Sequence, residues 1–465
     1  MITLKETDAV VIGVGWTGSI LARELTKAGL NVVGLERGAK RMPGEDFTIP
    51  SVRDDLKYAV RQELFQDAQL ETVSLRHSPA ETALPIRRLG SFLPGTDLGG
   101  AGAHWNGMTW RWLPSDHKLR SHITERYGKD AIPEDMTIED LPVSYDELEP
   151  YYDKFEKLCG VSGKAGNLRG KIVDGGNVFE GPRQNSQSAA GQEHGRHHHG
   201  RRVTQPWLSS VPGAVEQCQR GLHQFRRPDA RRLRILRPLR ALRLRSQCQS
   251  VAECLHPAGA ARGFKIRAAH PRAGERARLR QGGAQGDGGA LCRYAQRKAA
   301  TAKWYNHAFS IGASGCNYAH RENFLDLDPT YRDALGRPLI RMSYNFRDND
   351  FKLADYIGSV LGRLATAMNP TVISTPSVKK GDYSVVPYQS THNTGGTMTG
   401  TDPKGSVVNR YLQSWDADNL FVMGASVFPQ NASYNPTGLV GALAYWSANA
   451  ITTQYLKSPG PLVHA

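Results

Sequence analysis

Residues 9–18 read Ala9-Val10-Val11-Ile12-Gly13-Val14-Gly15-Trp16-Thr17-Gly18, an apolar run that gives way to glycines spaced G-x-G-x-x-G. The run, mostly β-branched, suits a strand buried in a parallel sheet. Beyond it Ile20, Leu21, Ala22, Leu25 and Ala28 follow a helical pattern, and Asn31-Val32-Val33-Gly34-Leu35 reads as a second strand ending at Glu36. A strand before and a helix after are the context that gives this glycine pattern its meaning. Gly13 permits the tight turn, Gly15 lets backbone approach a pyrophosphate, and Gly18 lets the helix lie close to the strand. The helix N-terminus attracts the phosphate charge. Glu36, 18 positions beyond Gly18, is placed to accept hydrogen bonds from ribose hydroxyls. The expectation is an α/β fold with a Rossmann-type dinucleotide-binding domain.

Glu36-Arg37-Gly38 opens a long excursion rather than an immediate third strand, which leans towards FAD over NAD. A second small-residue cluster follows: Leu98-Gly99-Gly100-Ala101-Gly102-Ala103-His104-Trp105-Asn106-Gly107. So many small side chains let backbone lie against a flat ring system; the plain alternative is a flexible glycine loop.

Near the C-terminus three segments stand together. Ser390-Thr391-His392-Asn393-Thr394-Gly395-Gly396-Thr397-Met398 carries an H-x-x-G pattern. Asn419–Pro429 reads as a buried strand that ends in a small-residue turn at Gly424-Ala425-Ser426. Tyr434-Asn435-Pro436-Thr437-Gly438 then opens an apolar helical stretch running through Tyr445 to Ala450. The N-terminus of such a helix stabilises negative charge placed against it.

These motifs resemble those of the glucose-methanol-choline (GMC) family of FAD-dependent oxidoreductases, in the branch of gluconate, sorbitol and FAD-glucose dehydrogenases. The resemblance covers residues 1–183 and 301–465. It implies a Rossmann-type FAD-binding domain, residues 1–115 and 385–465, interleaved with a mixed-sheet substrate and cap domain, residues 116–183 and 301–384. It implies flavin contacts from Gly99, Gly100, His104, Asn106 and Gly107, and from Gly424, Ala425, Ser426, Pro436 and Thr437. In some relatives a histidine in the His104-Trp105 context is joined covalently to the flavin 8α-methyl; a non-covalent neighbour or a structural histidine is the other reading. The resemblance makes His392 and Asn435 the catalytic pair for oxidation of a sugar, polyol or aldonic acid CH–OH group by hydride transfer to flavin N5. Neutral His392 suits a general base, and Asn435 would hold the substrate oxygen. Many members have a second histidine where this chain has Asn435, and Asn435 could instead cap the following helix.

The branch further implies a haem or quinone acceptor, a small exported partner subunit, and a cytochrome c subunit that alone anchors the complex in the membrane. Hydrogen peroxide formed in turnover would instead mark a soluble oxidase. The opening MITLKETDAVVIG has no basic region, apolar core or twin arginine of an export signal. Partner-assisted export to the periplasmic face is the expectation, with a cytoplasmic site as the alternative. No stretch of about 18 apolar residues is present to span a bilayer. Six scattered cysteines give neither a disulfide framework nor a metal knuckle, so no metal ligands are expected.

The net charge of +15 suggests nucleic acid until its distribution is read. Residues 181–300 hold 22 Arg and 2 Lys against 6 acidic residues, whereas the rest of the chain carries 35 basic against 38 acidic side chains. A disordered basic linker, an RNA-binding arm and translation out of register compete for the stretch from 184 to 300. Only Trp207, Phe225, Phe264 and Tyr294 are interleaved with its arginines, so no nucleic-acid partner is expected. Arginine with almost no lysine, plus alanine and glycine, is what G+C-rich DNA yields when read out of frame. Codons compatible with Leu233–Gln249, read one base later, give Cys-Gly-Tyr-Cys-Gly-His-Cys-Glu, which resembles the segment that ligates an iron–sulfur cluster in some members. The chain as written holds no such motif. The frame reading therefore expects missing central strands, poor folding and weak FAD binding; its functional counterpart is a non-functional product of a frameshifted or decayed dehydrogenase gene.

Overall fold

The computed structural model describes residues 6–40, 72–87, 95, 97–105, 107–161, 165–173, 182–183, 311–374, 381–385, 392–433 and 435–464, with the backbone alone for His104. Asn106 and the basic stretch 184–300 lie outside the described residues, as does the reading of that stretch as out of frame. The chain divides into two compact units. One comprises Met1–Leu255, Ser314–Asp355 and Val378–Ala465; the other comprises His256–Ala313 and Tyr356–Ser377.

The opening motif forms as its residues dictate. Strand β1 (Ala9–Ile12) leads into helix α1 (Trp16–Lys27), and β2 (Val32–Leu35) returns parallel to β1 with Ala9 opposite Val32 and Ile12 opposite Leu35. A parallel pair needs a crossover, and α1 supplies it. Gly13 turns the chain at φ +86°. A Cβ on Gly18 would stand 2.0 Å from the Gly13 carbonyl oxygen, so only glycine lets α1 sit this close to the strand end. Among the described residues β1 pairs with β2 alone. Val10 is 54% exposed and Ile12 86%, unusual for the middle of such a domain.

A second, mixed sheet holds β3 (Val73–Arg76), β4 (Leu84–Pro85), β5 (Phe324–Arg332) and β6 (Pro338–Ser343) in the order β4-β3-β6-β5. Strand β3 pairs antiparallel with β4 and parallel with β6, and β6 pairs antiparallel with β5. Residues 73–85, assigned by sequence to the flavin portion, thus share a sheet with strands that the sequence assigns to the substrate portion. The pairing is cemented by side chains on one face. Ser74 donates to Asp328, Arg76 Nε donates to Ser343 Oγ at 2.6 Å, and Arg341 Nε donates to Asp326 Oδ1 at 2.7 Å.

The short helices α2 (Pro114–His117) and α3 (Leu119–Tyr127) precede α4 (Tyr145–Cys159). The start of α4 is specified locally: Ser144 caps it, and Glu147 accepts from the Ser144 amide at 2.9 Å. Gly160 ends it in the left-handed region. Leu148, Tyr152 and Phe155 form its buried stripe. That stripe faces α6 (Thr437–Ala450), a helix apolar all round and therefore buried. Gly441 of α6 lies so close to Phe155 that a Cβ would fall 2.2 Å from its ring. The other side of α6 packs on α1, where Arg23 donates to the Tyr445 hydroxyl at 3.2 Å. Helix α5 (Asp348–Ala367) lies mostly in the second unit. No helix among the described residues is long and apolar enough to cross a membrane.

Candidate active site

Four segments converge on the N-terminus of α6. The first runs from His392 to Thr399 alongside the turn 424–427, with Gly395 N donating to Ala425 O at 3.0 Å, Thr397 N to Ser426 O at 2.9 Å and Thr399 N to Val427 O at 2.9 Å. Gly424 turns that second segment at φ +110°. The third is the stretch 431–437. Asn431 Nδ2 donates to the His392 carbonyl at 3.2 Å, and Asn435 Nδ2 lies 3.0 Å from His392 Nε2. Pro436 caps α6 and Thr437 opens it, so Asn435 stands at the positive end of the helix. The fourth is Gly107–Trp112: a Cβ on Gly438 would meet the Trp110 carbonyl at 2.2 Å, so this backbone lies directly on the first turn of α6.

Two residues 43 positions apart, His392 and Asn435, therefore meet side chain to side chain. Both are half-buried. Burial pushes the His392 imidazole below its ordinary value, which favours the neutral ring. An amide N–H donating to Nε2 fits that form, with its ring proton on Nδ1. A neutral imidazole beside an amide can take a proton from a hydroxyl and hold the oxygen that loses it. Thr397 Oγ1, in the segment that follows His392, is buried with no hydrogen-bond partner among the described residues.

The N-terminal motif makes a cradle of backbone. A Cβ on Gly15 would lie 3.7 Å from Gly99 O and 3.8 Å from Gly100 Cα, and Gly99 N donates to Val14 O at 3.0 Å. The two glycine clusters thus face one another at the N-terminus of α1, leaving backbone rather than side chains there. This geometry fits a dinucleotide pyrophosphate. Glu36 accepts from Val14 N at 2.7 Å and Gly38 N at 2.8 Å. Burial works against its charge, but the amides of Gly38 and Val14 outweigh it and hold the carboxyl below the usual carboxylate range. Its carboxylate keeps acceptor capacity beyond these two bonds. The backbone at 100–104 forms a 3-10 turn that places His104 at its end; Asn106 lies outside the described residues.

Sequence reasoning missed a buried ion cage centred on Arg111. Arg111 donates to Glu156 through Nε and Nη2, both at 2.9 Å, and to Glu149 through Nη1 at 2.7 Å; Arg183 reaches Glu156 at 3.2 Å. Nothing in the local sequence pairs these residues, although Glu149 and Glu156 at i, i+7 on the apolar face of α4 were a visible signal. Asn431, which steadies His392, had none beyond its place four residues before Asn435.

Comparison with known proteins gives this arrangement its family. A description of the C-terminal region of GMC oxidoreductases matches residues 319–444, which include His392 and Asn435. The gluconate 2-dehydrogenase flavoprotein of Pantoea cypripedii is 35% identical over 590 aligned positions, covering 99% of this chain and 96% of the relative. That alignment is longer than the 465 residues of this chain. The fructose dehydrogenase large subunit of Gluconobacter japonicus is 33% identical over 175 residues, 34% of this chain and 28% of that protein. Among solved structures, a fungal aryl-alcohol oxidase aligns over 98% of this chain and 100% of its own with a TM-score of 0.44 and 12% identity. The 35% identity to the Pantoea cypripedii flavoprotein over nearly the whole of both chains carries the assignment: the chain belongs to the GMC oxidoreductases, FAD-dependent enzymes that act on CH–OH donors.

Proposed function

We propose that this chain oxidises a CH–OH group of a sugar, polyol or aldonic acid and delivers the electrons to a haem or quinone acceptor rather than to oxygen. The carrying observation is the 3.0 Å contact between His392 and Asn435 at the N-terminus of α6. The names of the relatives, a gluconate 2-dehydrogenase flavoprotein and a fructose dehydrogenase large subunit, support the substrate class.

Gly13, Gly15 and Gly18 would hold the FAD pyrophosphate, and Glu36 the ribose. Gly99, Gly100, His104, Asn106 and Gly107 would line one side of the ring, and Gly424, Ala425, Ser426, Pro436 and Thr437 the other. When bound, FAD supplies the hydride acceptor. Asn435 holds the substrate oxygen and aims the C–H bond. His392, neutral because it is half-buried, removes the hydroxyl proton at Nε2. A covalent flavin on His104 is the extension of this reading; acid precipitation of the holoprotein would leave the yellow colour in the pellet if the link exists. Partner subunits, one small and exported and one a cytochrome c, go with the same reading, as do a periplasmic location and, in intact relatives, an iron–sulfur cluster.

The test is anaerobic mixing of the purified protein with polyols, sugars and aldonic acids. Bleaching of the flavin band in the native protein and its loss in His392→Ala are expected. No bleaching with any of them would overturn the reading, and peroxide formed in step with turnover in air would overturn the acceptor assignment.

The exposure of Val10 and Ile12 favours a second reading, that the chain as written is the product of a gene whose frame is displaced over codons 184–300. Central strands of such a domain are covered on both sides, whereas Val10 and Ile12 of β1 are exposed here. Resequencing the source DNA over codons 180–305 separates the two. One or two inserted or deleted bases that restore a continuous cysteine segment would establish displacement; agreement with the protein as written, together with a yellow purified product, would refute it.

A further inference from the structure

The segment Cys316–Arg321 plays no part in the chemistry above, yet it is fixed against the loop that carries Asn435. Asn317 Nδ2 donates to Asp350 Oδ1 at 2.6 Å, Thr137 N donates to Ala319 O at 2.8 Å, and Arg321 N donates to Asp135 O at 2.8 Å. His320 is buried and its Nδ1 meets Asp135 Oδ2 at 2.9 Å. Between these anchors the Cys316 thiol is within hydrogen-bonding reach of the Ser433 hydroxyl and of the Tyr318 phenol, with the Asp116 carboxyl nearby. Ser433 stands two residues before Asn435, in the same stretch whose Asn431 holds the His392 carbonyl. The loop that brings Asn435 to His392 thus also brings Ser433, two residues earlier, to the Cys316 thiol.

That second cluster is polar in a particular way. Thiol, phenol and hydroxyl both donate and accept, and none carries charge, because burial raises both the Cys316 thiol and the Tyr318 phenol above their ordinary values. Both side chains are only partly covered. Neutral two-way groups match alcohol hydroxyls, whereas a substrate carboxylate would meet no cation among them and would lie near Asp116.

The geometry points to Tyr318, with Cys316 and Ser433, as the wall that recognises a hydroxyl of the substrate remote from the carbon being oxidised. The assignment rests on the His392–Asn435 reading of the site. It makes these residues determinants of specificity: they hold the unreacting end of a polyhydroxylated chain while the reacting end lies between His392 and Asn435.

The experiment compares wild type and Tyr318→Phe in anaerobic flavin reduction. It uses a polyol or sugar that the wild type oxidises and a simple monohydric alcohol of similar carbon number. Removing one hydroxyl that bonds the substrate is expected to raise the half-saturating polyol concentration roughly five- to tenfold. The limiting rate and the monohydric alcohol are expected to be little affected. Ser433→Ala, which removes the other hydroxyl of the wall on an exposed residue, is expected to shift the same ratio in the same direction, and serves if Tyr318→Phe fails to fold. A polyol-to-alcohol preference unchanged in the folded variants, with His392→Ala still inactive, would overturn this inference and leave the catalytic reading standing. A His392→Ala protein that reduces flavin at the wild-type rate would overturn the catalytic reading, and the recognition wall with it.

Discussion

Replacing Arg111 by methionine is expected to cost a large share of the stability of the first unit. The guanidinium is 1% exposed and makes three contacts of 2.7–2.9 Å with two carboxylates. Those partners, Glu149 and Glu156, are themselves 8% and 5% exposed, so neither can turn to bulk water when the cation leaves. Breaking a buried pair by removing one member typically costs about 3–5 kcal/mol, against a domain stability of about 5–15 kcal/mol. Arg183 still reaches Glu156 at 3.2 Å after the change. The double variant Arg111→Met with Glu149→Gln is expected to recover part of the loss, because one of the two buried carboxylate charges that faced the guanidinium is gone. Arg111→Lys should lie between wild type and methionine, since a point cation cannot bond Glu156 through two parallel N–H groups. Urea unfolding followed by tryptophan fluorescence measures this directly, because the fully buried Trp112 is the next residue along the chain. A loss below about 1 kcal/mol for Arg111→Met would show that the cage contributes little net stability, as exposed pairs do.

His117 is fully buried; its Nδ1–H donates to the Val143 carbonyl, and Nε2 accepts from the Tyr152 hydroxyl. Burial pushes its pKa down to about 4, so the folded state binds its proton later than the unfolded chain. Its stabilising contribution is whole above about pH 6.5, is lost as pH falls towards 4, and amounts to about 3 kcal/mol; His117→Gln should flatten that slope in unfolding curves taken from pH 7 to 4. Gly18→Ala places a Cβ 2.0 Å from the Gly13 carbonyl oxygen, and is expected to displace α1 and cost about 1–3 kcal/mol together with flavin retention; full yellow colour at wild-type stability would contradict the cradle. The acid limb of kcat/KM is expected below the ordinary histidine range, because His392 is lowered by burial; a limb at or above pH 7 would exclude His392 as the base.

Sequence could reach those parts of the fold whose causes are local. The β1–α1–β2 unit follows from the glycine spacing and two apolar runs, and the start of α4 from Ser144 and Glu147. The mixed sheet could not be reached this way. Val73–Arg76 and Pro338–Ser343 pair across more than 250 residues, and strands as short as Leu84–Pro85 leave no periodicity to read. The proximity of His392 and Asn435 was legible through resemblance alone, since neither residue carries a local mark of chemistry. Glu36 shows the limit of motif reading. The expectation named only a ribose partner, whereas in the structure the carboxylate already bonds the amides of Val14 and Gly38 and thereby shapes the turn it was expected merely to serve.

The packing of α6 on α1 has a consequence for how the protein is made. Arg23 and Tyr445, which bond across that interface, are separated by 422 positions, so the first helix to leave the ribosome waits for almost the last. Until then the Ile20 and Arg23 side of α1, which packs on Ala444 and Tyr445, has no α6 to meet. Any interruption of synthesis upstream of residue 437 leaves that face uncovered. Closure of the α1–α6 interface is in this way conditional on translation that runs in frame through residues 437–450.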